Sequence, residues 1–153
     1  MPTDFFNTLS SLVQEELSLY KSLELLVDDE EARVRESDME GLLDVLQRKQ
    51  AIISRQEDLL ERWNKISESL GISDGREGPV FWNSIAVRIG ESGYNQIVCN
   101  INDIRELGQK LLHKEGEIRK ALEDHLAEMR ATLLKMGRNR AAMKSYSQGM
   151  TAF

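Results

Sequence analysis

The sequence predicts an all-α protein, an antiparallel bundle of three long helices plus one short helix with coiled-coil-like packing. Three observations predict it. Apolar residues recur at seven-residue spacing over three long stretches, and a repeat of seven closes two helical turns, so each row lies on one helix face. The composition favours helix: the chain has two prolines and three tyrosines in 153 residues, and its aromatic content of 6% is too sparse to build sheets. Glycine and proline concentrate in one segment, Gly71 to Pro79. The length suits one domain with a continuous core.

The first helix is expected over about residues 4–35, capped by Thr3 or Asp4. Its main row is Phe6, Val13, Tyr20, Val27 and Val34, flanked by Phe5, Leu12, Leu19 and Leu26. Ser37 and Glu40 then form a capping-box pattern, which predicts a new helix from about residue 38. No Gly or Pro enforces the break, so residues 27–38 are compatible with a turn or with one continuous bent helix.

The second helix is expected over about 38–70. Its main row is read as Met39, Leu42, Leu46, Ile53, Leu60, Trp63 and Leu70, with Val45, Ile52, Leu59 and Ile66 beside it. A stripe this wide should touch two other helices. Leu60 is placed in the core. Lys49 and Gln56 interrupt the seam and are expected at its edge, with their head groups in water.

Residues 71–79 (GISDGREGP) read as a connector. They lack the Gly-Lys-Ser/Thr ending and preceding strand that a phosphate loop requires. Pro79 opens a short helix over about 79–89, in which Phe81, Trp82, Ile85 and Ile89 share a face and the aromatic pair plugs the bundle end. After Gly90 to Gly93, a last long helix is expected over about 94–136. Its seam runs Ile97, Ile101, Ile104, Leu111, Ile118, Leu122, Met129 and Met136. Gly108 falls on that seam, where a neighbouring helix can approach closely. The bundle is thus assigned to residues 1–137, and 138–153 to a C-terminal tail.

Little in the chain points to catalysis. Cys99, the single cysteine, has no partner at zinc-ligand spacing and reads as a small packing residue. Lys110 and Leu122 stand three residues before His113 and His125, where di-iron bundles place glutamate. Asp28-Asp29-Glu30-Glu31 has no loop glycine and reads as a solvated helix face. No nucleophile turn is recognisable. No catalytic residue, metal site or cofactor is therefore expected.

Formal net charge is −6, yet every charged residue after Glu128 is basic: Arg130, Lys135, Arg138, Arg140 and Lys144. Removing these five leaves −11 on the remainder. An acidic body argues against nucleic-acid binding. The basic end suits either the negative pole of a helix dipole or docking to an acidic partner or an anionic membrane surface. No stretch resembles a secretory signal or reaches the roughly 20 apolar residues of a membrane span, so a cytoplasmic location without stable membrane insertion is expected.

The candidate binding residues lie at the end of the chain: Met129, Leu133, Met136, Met143, Tyr146, Met150 and Phe153. Methionine side chains adapt to varied apolar partners, and an apolar strip that a bundle leaves uncovered tends to be a binding site; the same pattern also fits ordinary core over Met129 to Met136 followed by a frayed terminus. A partner helix laid along it would be held by helix-in-groove association.

Three pieces of the sequence together resemble the FlgN-type flagellar export chaperones. They are the Leu-rich opening helix with acidic residues toward its end, the segment Met39 to Gln50 continuing into Ile52-Ile53 and Leu59-Leu60, and the final helix ending in Tyr146-Ser147-Gln148-Gly149. The family's Leu-x-x-Leu-x-x-Lys core is matched by Leu43, Leu46 and Lys49, and its Tyr-x-x-Gly by Tyr146 and Gly149. His113-Lys114-Glu115-Gly116 stands where the family often carries an asparagine-rich stretch. The resemblance implies a cytoplasmic, non-enzymatic chaperone that holds hook-associated (hook-filament junction) proteins through its C-terminal helix and tail. It also implies delivery to export apparatus components, with Tyr146 at the handover end. The competing class is a coiled-coil adaptor or self-associating scaffold with no secreted client, and weak homodimerisation stays open under either.

Overall fold

The computed structural model describes the backbone of residues 2–73 and 75–151, and the side chains of 4–73, 75–76 and 78–144. The elements are α1 (Pro2–Arg35), α2 (Met39–Ser69), a 3-10 turn (Gly75–Glu77) and α3 (Pro79–Thr151). The protein is all-α, and no strand occurs among the described residues. Within α3 the backbone leaves helical geometry at Gly90 (φ 81°, ψ 170°), a conformation open to glycine because it has no Cβ.

Residues 27–38 are not one bent helix. α1 ends in a tight turn in which Ser37 takes φ 56° and the Asp38 amide donates to the Arg33 carbonyl at 2.9 Å. Asp38, not Ser37, caps α2: its carboxylate accepts from the Gly41 amide at 3.0 Å. The positive φ at Ser37 spends that residue on the turn, so the cap falls to the next side chain. Arg33 donates to the other Asp38 oxygen at 3.0 Å, tying the end of α1 to the start of α2.

The hairpin so formed is pinned across its length. Glu15 pairs with Arg62 and Glu30 with Lys49, so residue numbers rise along α1 as they fall along α2. The same helix faces α3 through Glu24 with Lys110 and Asp28 with Lys114, where the numbers rise together.

The core gathers Leu9, Val13, Ile52, Leu59, Trp63, Phe81, Ile85, Ile97, Ile101 and Ile104. Full burial of such a side chain contributes about 1.5–3 kcal/mol. Phe81 packs edge-on against both Trp63 (centroids 6.2 Å apart) and Trp82 (5.1 Å). The ring of Tyr20 lies against Gly108, 3.5 Å from where a Cβ would stand.

Four sequence expectations are corrected. In α2 the row Val45, Ile52 and Leu59 is buried, together with Leu42, Lys49 and Trp63, whereas Met39, Leu46, Ile53 and Leu60 are exposed. The helix is rotated so that the flanking row faces the core. Lys49 is buried, not solvated at an edge. Glu30 leaves the solvated acidic face and is buried as well, because it falls between Val27 and Val34 on the core side of α1. Cys99 is exposed rather than packed, lying between the core positions Ile97 and Ile101 in sequence but off their face.

By its packing the chain forms two units, residues 1–115 and 116–153. The first contains α1, α2, the connector and α3 as far as Glu115; the second is the C-terminal stretch of α3, helical to Thr151.

Candidate partner-binding surface

In the second unit Met129, Leu133, Met136 and Met143 are all exposed, from 51% for Met136 to 73% for Met143. Leu126 and Leu134 are exposed too. Positions 126, 129, 133, 136 and 143 follow the alternating three- and four-residue spacing that holds side chains to one line along a helix. Leu133 and Leu134 also line a shallow groove with Arg130, Gly137, Arg138 and Ala141. Phe153 and the side chains of Tyr146 and Met150 lie outside the described residues.

The sequence pattern counted Arg140 with the basic end of the chain but not with the apolar line. That residue is exposed and continues the three-four spacing between Met136 and Met143, placing a cation in an otherwise apolar strip. The spacing was the available signal. Leu134, beside the strip, was passed over.

The first unit holds two buried charge clusters. The Lys49 ammonium donates to Glu30 Oε2 at 2.6 Å and also to Glu115, joining α2 to α1 and α3. Burial pushes the Lys49 pKa down, but the hydrogen bonds to Glu115 and Glu30 outweigh it and hold the group above the ordinary lysine value. In the second cluster Arg76, in the connector's 3-10 turn, donates twice to Glu16, at 2.6 Å each. Its guanidinium also stands 5.0 Å from the centroid of the Trp63 ring. Residues 71–79, expected only to connect, thus send one side chain into the core face of α1.

Both clusters left a trace in the pattern. Leu9, Glu16, Leu23 and Glu30 recur every seven residues, so glutamate alternates with leucine on a row that packs inward. A carboxylate there needs a buried cation.

Among the described residues, no group of three or more His, Cys, Asp or Glu side chains is placed to hold a metal ion, and no helix is long and apolar enough to cross a membrane. Compared with protein-family models, curated proteins and solved structures, the chain has no significant match.

Proposed function

We propose that the protein is a cytoplasmic export chaperone of the FlgN type, which shields hook-associated junction proteins and delivers them to the flagellar export apparatus. The observation that carries the reading is the exposed apolar line Leu126, Met129, Leu133 and Met136 on a continuous helix. A client's amphipathic assembly helix would bury its own apolar face there and stay soluble until release. Such a role requires no catalytic group and no cofactor. The motif Leu43, Leu46, Lys49 and the pair Tyr146 and Gly149 supply the resemblance. The finer architecture of the reading is an antiparallel bundle of three long helices with 79–89 as a short additional helix.

The test is co-expression of the full chain with hook-associated junction proteins, followed by purification of the complex. Wild type is expected to retain the client, while Met129→Ser/Leu133→Ser/Met136→Ser is expected to lose it at unchanged helicity by circular dichroism. Deletion of residues 138–153 separates the classes: a client-holding chaperone loses its partner at nearly full helicity, whereas a scaffold without a client would be indifferent or would unfold. Failure of the wild-type chain to hold any junction protein would sink the reading.

A further inference from the structure

We infer that the strip in residues 126–143 takes one acidic amphipathic helix, and that Arg140 sets its register by facing a carboxylate of that helix. The inference rests on the chaperone reading for the biological setting and deepens it by naming the chemistry of the partner.

The width of the strip specifies a single helix. Leu126, Met129, Leu133, Met136, Arg140 and Met143 alternate three- and four-residue steps, which makes a line two positions wide. A partner wound against such a line covers it, as the two chains of a coiled coil cover each other. All six side chains are exposed, so no part of the line is already filled.

Charge selects the partner. Residues 129–144 contain Arg130, Lys135, Arg138, Arg140 and Lys144 and no acidic residue. A second copy of this segment would bring five like charges against these five. That juxtaposition is unfavourable in either helix direction. An acidic helix gains attraction along residues 130–144, the greater part of the strip, which also steers encounter.

Arg140 adds selectivity. A cation in the apolar line of a helix pair costs stability wherever it faces leucine, and that cost falls when a carboxylate meets it. One polar position of this kind excludes shifted registers. A lipid surface fits less well, because interfacial helices segregate cations opposite a face that often carries Trp or Phe. Here Arg140 interrupts the apolar line, and residues 126–144 contain no aromatic side chain.

The test uses the full chain and synthetic helical peptides of about four heptads. One carries leucine along its seam, a single seam glutamate and flanking glutamates; a matched peptide carries lysine at all those charged positions. Anisotropy is expected to show binding of the acidic peptide that weakens with added salt, and no binding of the basic one. Arg140→Glu is expected to lower affinity for the acidic peptide at least about tenfold. Replacing the peptide's seam glutamate by lysine should restore binding to that variant. Should Arg140→Glu lose helicity, Arg140→Gln takes its place, with a smaller loss expected.

Equal binding of both peptides, or no effect of either Arg140 variant, would overturn the inference. So would capture by phosphatidylglycerol vesicles without capture by any peptide, or self-pairing of the chain through this strip in sedimentation. Binding of the acidic peptide by a chain that retains no junction protein would uphold this inference and remove the flagellar setting.

Discussion

The guanidinium of Arg76 meets the carboxylate of Glu16 through two hydrogen bonds of 2.6 Å each, fastening the connector between α2 and α3 onto α1. The two residues are 60 positions apart in sequence. With only 8% of the Glu16 side chain and 17% of that of Arg76 exposed, the pair sits where loss of one partner strands the other.

Arg76→Ala should therefore destabilise the fold by about 3 kcal/mol, because it leaves a buried carboxylate without its cation. Arg76→Lys should recover only part of the loss, since an ammonium cannot make the two parallel bonds. Urea denaturation followed by tryptophan fluorescence checks both, and Trp63 beneath the guanidinium reports the change directly.

Lys49 should matter in the same way, with a signature in alkali. Its pKa is higher in the folded chain than in the unfolded one, so its contribution is complete below about 10.4 and declines as pH rises through the folded value. Denaturation midpoints between pH 8 and alkaline pH should fall more steeply for wild type than for Lys49→Met. Parallel curves would show that the Glu30 and Glu115 pairings contribute nothing to stability.

Asp38 should show the opposite sign. The Gly41 amide, helped by Arg33, holds its carboxylate below the ordinary value. The stabilisation is present above about pH 3.9 and is lost as pH falls through the lower folded value. Asp38→Asn, which keeps a capping oxygen, should flatten this acid dependence while leaving the neutral-pH melting temperature closer to wild type than Asp38→Ala does. Thermal melts from pH 2 to pH 7 decide it.

Adjacent leucines in α2 should separate cleanly. Leu59 is 2% exposed and Leu60 is 52% exposed. Leu59→Ala is expected to cost about 2–5 kcal/mol by transfer and cavity terms. Leu60→Ala should stay within about 1 kcal/mol. Equal costs in urea denaturation would mean that α2 is rotated from the orientation described.

Much of the fold was legible in the amino-acid sequence. The seven-residue rows of α1 and α3 follow from helix periodicity, and the connector from Gly71 follows from glycine's freedom at positive φ; the capping pattern near Ser37 left a turn and a continuous bent helix both open, because no Gly or Pro stands there. Gly71 itself takes φ 72° at the end of α2. Local rules act over a few residues, so one sequence suffices to apply them. The apolar row through Met129, Leu133 and Met136 was legible for the same reason, but its exposure was not, since the pattern fits a covered seam equally well.

Rotation about a helix axis was not. In α2 the rows through Leu60 and through Leu59 are both apolar, and a row's facing is set by what the neighbouring helices present to it. The fate of Lys49 was hidden likewise, since its two carboxylates lie 19 and 66 residues away. The sequence by itself determined where helices form and which faces are apolar, because periodicity and capping are properties of neighbouring residues. Only the tertiary structure decided which apolar rows are covered and which buried charges meet, because both depend on side chains brought together from distant parts of the chain.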